Sequence, residues 1–288
     1  MEIGGFSLHG IDFSSTPNRR KPIVIAHGAW QASRPDRVDL EGFTRLDTLE
    51  AFAQWLLQPG PWLGVFDLPF GLPRELINTL GWPGHDSDNA PMPWKRLIEH
   101  LQTLSRAKLR AVFRQFCATR PAGAKFAHRA CDRPAGSSPS MKWVNPPVAW
   151  MLHAATPLLL DANVDLPGLH AGDPRRVALE GYPGFAARAV LGRRSYKSDT
   201  RNKQTDERQS ARAELLDVLA CGRHPLGLRL QCADPLHQTM LHDARGDHLD
   251  AALCLTQAAW ACARRAQNWG LPPQIDPVEG WIVSVPPG

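Results

Sequence analysis

Four aspartates carry the chemistry that this sequence offers. Asp12 closes the apolar run of residues 6–13, FSLHGIDF, and Asp67 closes Leu63-Gly64-Val65-Phe66 just ahead of a proline turn. Asp247 and Asp250 stand at the head of an alanine-rich stretch, 246–266, that reads as a mostly buried helix. Their i, i+3 spacing puts both on one face of its first turn. Each has an ordinary explanation when taken alone: a turn residue, a lead into the hydroxyl-rich Ser14-Ser15-Thr16, or a helix cap. Taken together they are a set of oxygen donors suited to Mg2+ or Mn2+. A pair of such ions activates a water and stabilises the leaving oxygen in phosphodiester hydrolysis. Glu180, which ends a short strand within RVALEGYPG (176–184), is a fifth candidate, either as an acid of the site or as a partner for arginine.

The elements around these acids must bring them together. Residues 6–13, 22–26 and 37–46 are joined by short connections and predict an antiparallel meander of three strands. DTLEAFAQWLL (47–57) follows as a helix, with Asp47 and Glu50 spaced as a capping box. A strand reached through a helix can lie parallel to the first. Asp12 and Asp67 are then expected at the same end of neighbouring strands, roughly 5 Å apart by interstrand spacing. Further along, 95–116 reads as one amphipathic helix, 120–147 as a long irregular segment rich in Gly, Pro and Ser, and 204–220 as a surface helix.

Composition narrows the class. With 288 residues and 43% hydrophobic content the chain predicts one core with insertions. No run approaches the roughly 20 apolar residues of a membrane span, and the start of the chain lacks a signal-peptide pattern, so a cytoplasmic location is expected. Six scattered cysteines with no C-x-x-C pair exclude a zinc knuckle and a disulfide framework. The net charge of +5 is mild for a strong duplex binder, but only seven of the 33 basic residues are lysine. Arginine favours bidentate contact with phosphate or carboxylate, which leans toward an anionic partner.

GIDFS (10–14), FDLPFGLP (66–73), HRACD (128–132), SMKWVNPP (140–147), EGYPG (180–184), SYKSD (195–199) and GDHLDAALC (246–254), in that order, carry a family resemblance. The chain resembles domain-of-unknown-function family 429 (DUF429), predicted nucleases, and its acid set is similar to that of RuvC-type Holliday-junction resolvases. The resemblance implies an α/β, RNase H-like fold: a mixed five-stranded sheet, order 3-2-1-4-5, flanked by helices, in one domain over 1–288 with a helical and loop-rich insertion at about 80–165. It implies a nuclease of two-metal mechanism acting on DNA or RNA. Asp12 would bridge two magnesium ions, Asp67 would complete one site, and Asp247 with Asp250 would hold the other. His128, Arg129, Lys142, Arg193, Arg194 and Lys197 would contact phosphates.

Two other readings compete. GIDFSST also resembles the first phosphate loop of actin-like ATPases and sugar kinases, but the second phosphate loop and glycine-rich adenosine motif of those proteins have no counterpart here. A nonenzymatic nucleic-acid-binding module is the third reading. It does not require a carboxylate at all four positions.

Overall fold

The computed structural model describes residues 5–287. The chain runs β1 (Ser7–Asp12), β2 (Ile23–Gln31), β3 (Arg34–Leu46), α1 (Leu49–Leu56), β4 (Trp62–Asp67), α2 (Arg74–Leu80), α3 (Pro93–Gln102), α4 (Arg106–Ala118), α5 (Asp132–Ala135) and α6 (Val148–Asp161). It continues through β5 (Val164–Asp165), β6 (Asp173–Glu180), α7 (Pro183–Leu191), α8 (Asp206–Ala220), β7 (Arg229–Gln231), α9 (Asp234–His242) and α10 (Asp247–Cys262).

The strands form one mixed sheet in the order β5-β6-β4-β1-β2-β3-β7. It has seven strands, not the five expected, because two- and three-residue strands extend both edges. The meander β1-β2-β3 is antiparallel, and β4 lies parallel to β1. β6 continues the parallel half beside β4.

Period-two alternation sends each strand's side chains to two separate cores. His9 and Ile11 of β1 and Phe66 of β4 face the layer built from α1, α2, α3, α4 and α6, where most of the large aromatic residues gather. Leu8 of β1, Leu63 and Val65 of β4, and Val177 and Leu179 of β6 face α7, α8, α9 and α10. The tryptophans Trp55, Trp62 and Trp94 are buried core.

Helix α10 is the centrepiece of the second layer, with every residue from Leu249 to Ala259 buried. It lies across β1, β2 and β4. Gly10 explains how close it comes. A Cβ there would overlap the backbone of Ala251 and Leu255, so only glycine lets the helix rest on the strand. Gly10 and Asp12 point to the same face of β1, and this contact brings the first turn of α10 beside Asp12.

Local departures have local causes. The helix expected over 95–116 is two helices, because the Ser105 hydroxyl accepts from the Lys108 N–H at 3.2 Å and starts a new one. The cap of α1 is Thr48, accepting from Ala51 N–H at 3.1 Å, and not the Asp47 capping box. The region 80–165 holds α3 to α6, so it is more helical than its composition suggests. Among the described residues all six cysteines are free, and no helix is long and apolar enough to cross a membrane.

Candidate metal centre

Asp12 and Asp67 are direct cross-strand partners in the parallel β1–β4 pair. Both lie at the C-terminal end of their strands, on the face covered by α10. Asp250 reaches them from the first turn of that helix. One carboxylate oxygen from each of Asp12, Asp67 and Asp250 lies within 4.8 Å of the others. Asp250 is buried and the other two are partly open.

The electrostatics of this trio are unrelieved. Burial, then Asp250 and Asp247, pushes the Asp12 carboxyl well above the ordinary range. Burial, with help from Asp250 and Glu180 against the opposing charge of Lys197, raises Asp67 to about 7. Asp250 accepts hydrogen bonds from the Tyr196 hydroxyl and the Lys197 ammonium. No protein hydrogen bond among the described residues reaches the carboxylate of Asp12 or Asp67. Burial pulls the Lys197 ammonium down, but Asp250, then Tyr196, Asp12 and Asp67, outweigh it and keep it charged. One ammonium faces three carboxylates.

Asp247 stands outside the trio. Gly246 occupies the N-cap position, and Asp247 belongs to the first turn, facing a small groove with Arg20, Arg45 and Arg245. Burial, then Asp243 and Asp250, raises its carboxyl to about 6. Its neighbour Asp243 accepts from His248 through both the backbone N–H and the ring Nδ1, and stays low, at about 2, despite burial.

Glu180 is on the wrong side of the sheet for the trio. It pairs in register with Phe66, one residue before Asp67, so its side chain leaves by the opposite face. There it takes the alternative role foreseen for it. Arg129 donates to both its oxygens, at 2.7 and 2.6 Å, and Phe70 N–H donates at 2.9 Å. Arg129, expected to contact phosphate, does line the cleft beside Asp67, but these bonds occupy its guanidinium. Its remaining N–H groups go to Asp132 and the Glu279 carbonyl, it is 3% exposed, and no donor is left over.

The other basic candidates divide. Lys197 is in the site. Arg193 and Arg194 are exposed beyond α7, and Arg194 pairs with Glu214 at 2.6 Å. His128 and Lys142 are partly buried in the insertion and line neither the cleft nor the groove beside the acids.

That cleft opens directly from the trio. About 320 Å³ in volume, it is lined by Asp67 and Lys197 together with Leu68, Pro69, Tyr182 and Met151. The insertion supplies Met151, Ser137 and Ser138, the turns after β4 and β6 supply Leu68, Pro69 and Tyr182, and the segments after α7 and near the C-terminus supply Lys197 and Ile282. Tyr182 is held in place by Arg188, which donates to its hydroxyl at 2.8 Å and to the Gly136 carbonyl at 2.8 Å. The sequence marks Tyr182 only as a turn residue, and it gives no signal for Arg20, Arg45 and Arg245, which come from three distant segments.

A family model described as "Protein of unknown function (DUF429)" matches residues 10–274. The chain belongs to the DUF429 family. Searches of curated proteins and of solved structures gave no match. The family assignment covers Asp12, Asp67, Asp247 and Asp250, and its description assigns them no role.

Proposed function

We propose that this DUF429 protein is a divalent-metal-dependent phosphodiester hydrolase acting on nucleic acid, built on an RNase H-like sheet. The observation that carries the reading is the convergence of Asp12, Asp67 and Asp250 from two strand ends and a helix start, with two of the carboxylates accepting no hydrogen bond among the described residues. Carboxylates this close repel one another unless a proton or a cation lies between them. The central run β3-β2-β1-β4-β6, antiparallel on one side and parallel on the other, supports the fold assignment.

The donor set fits the ion. Three carboxylates with no sulfur and no imidazole are hard ligands, which favour Mg2+ or Mn2+ over zinc or copper. Asp12, Asp67 and Asp250 would hold it, and when bound it supplies charge neutralisation at phosphate and an activated water. Lys197, kept charged by the acids, provides a fixed cation beside the same position. Tyr196 and Lys197 together fix the rotamer of Asp250, so the helix-borne ligand is oriented before any ion arrives. Asp247 is the residue left for a second ion, and titration stoichiometry measures whether it takes one.

The test is calorimetric titration of Mg2+ and Mn2+ into the wild type and Asp12→Asn, alongside a cleavage assay on single-stranded, duplex and branched DNA and RNA. Cation binding and cleavage that both disappear in the variant support the proposal. A folded wild type that binds neither ion, with or without nucleic acid, overturns it.

A further inference from the structure

The acid trio lies between two surfaces of opposite character. On one side is the cleft of about 320 Å³, walled by Leu68, Pro69, Met151 and Tyr182. On the other, past Asp247, is a groove of about 140 Å³ that carries Arg20 from the β1–β2 turn, Arg45 from β3 and Arg245 from the loop before α10. Among the described residues none of these three arginines has a carboxylate partner, while Asp243 in the same groove is already held by His248. The two surfaces are connected through the trio. Lys197 and Asp67 line the cleft, Asp250 bonds Lys197, and Asp247 sits one helical turn away in the groove.

We infer that the site takes an unpaired nucleotide within a single strand: its base enters the cleft, and the neighbouring phosphates follow the arginine groove. The inference rests on the proposed phosphodiester chemistry only for where the scissile phosphate would lie. A base has two apolar faces and a polar edge, which suits apolar walls with Ser138 among the lining residues. The volume is at the lower end of small-ligand sites, enough for one such unit and closed to a stacked base pair. A duplex keeps its bases stacked inside and would present only phosphates, leaving the cleft unused. The unpaired arginines supply the bidentate donors a strand backbone needs. Overall charge hides them: +5 is spread over the whole surface, whereas these three share one groove.

Fluorescence anisotropy in EDTA, with labelled oligothymidylate, oligouridylate and a blunt hairpin duplex, tests this without requiring cleavage. The wild type is expected to bind the single strands at least tenfold more tightly than the duplex. The triple variant Arg20→Ala/Arg45→Ala/Arg245→Ala should weaken single-strand binding and flatten its salt dependence by about 2 in log–log slope, at roughly 0.7 per phosphate contact. Met151→Trp, which fills the cleft, should weaken binding severalfold and leave that slope unchanged. Circular dichroism melts of both variants establish that they are folded. Equal affinity for the duplex, or variants that bind as the wild type does, overturns the inference. So does competition by free thymidine monophosphate at the concentration of the oligomer, which would make this a mononucleotide pocket. Failure of the metal reading would appear separately, as absent cation binding with the strand preference intact.

Discussion

Two clusters of acids lie near the same end of the sheet, and they have been treated in opposite ways. On one face, Arg129 sits among Asp132, Glu180 and the Glu279 carbonyl, with every guanidinium N–H used. Asp132 also accepts from Arg129 N–H and the Ser137 hydroxyl, and the Glu279 carboxylate from the N–H groups of Arg74 and Ala130. On the other face, among the described residues, the carboxylates of Asp12 and Asp67 accept nothing, and that of Asp250 alone is bonded. Glu180 and Asp67 are near enough for one to raise the other's pKa, yet strand alternation keeps them apart. The first cluster is a fastener that clamps the insertion and the segment around Glu279 to the end of β6. The second is left electrically unfinished, and unrelieved charge in a partly open cleft marks a place for a ligand.

The largest expected effect comes from breaking the fastener. Arg129→Met leaves Asp132 and Glu180 buried without their cation, and losing one partner of a buried pair costs about 3–5 kcal/mol. Urea unfolding measures it. A midpoint that stays in place would mean that the network is not what holds the insertion.

A somewhat smaller loss is expected at the contact that assembles the second cluster. Gly10→Ala forces a methyl group into the α10 backbone, at a cost of roughly 1–3 kcal/mol for overpacking. Because α10 carries Asp250, Mg2+ affinity should fall more steeply than stability does. Calorimetric titration beside a thermal melt separates the two, and unchanged affinity would detach the site from this packing contact.

The third change should have the opposite sign. Asp67 has its carboxyl raised from 3.8 to about 7 on folding. An acid shifted upward contributes stability that is complete below the unfolded value and is lost as pH rises through the folded one. The metal-free protein should therefore weaken between about pH 4 and pH 7 on this account. Asp67→Asn removes that loss, so in EDTA at about pH 8 it should melt a few degrees higher than the wild type. On the proposed metal reading, Mg2+ should raise the melting temperature of the wild type and not that of this variant. A lower melting temperature in EDTA would mean that Asp67 is stabilising, and would erase the contrast between the clusters.

The smallest effect concerns pH and the ion. Binding must release any proton held on Asp67, so Mg2+ affinity should fall as pH drops below about 7, approaching tenfold per unit for each proton displaced. A flat profile would place the ion elsewhere.

Much of this was legible in the chain because the physics involved is local. An apolar run that ends in an acid before a turn announces a strand terminus, which located Asp12 and Asp67. Two acids spaced i, i+3 before an alanine-rich stretch located the start of α10. The helices α2, α6, α7 and α9 carry no clear period in the chain, since an all-apolar face or a short segment leaves none. The break at Ser105 was hidden because apolar residues keep a helical rhythm across it.

The sequence by itself determined that Asp12 and Asp67 end their strands and that Asp247 and Asp250 begin a helix, since side-chain alternation and turn chemistry act within a few positions. The tertiary structure decided which of those residues meet. Asp12 opposite Asp67, and Phe66 opposite Glu180, is a matter of cross-strand register, and a one-residue difference sends a carboxylate to the other face. The same holds for the basic residues. Arg129, in the HRACD segment, is spent inside the protein, while Arg20, Arg45 and Arg245, unremarkable in the chain, share one groove beside the acids. Long-range packing sets those distances, and no local pattern encodes them.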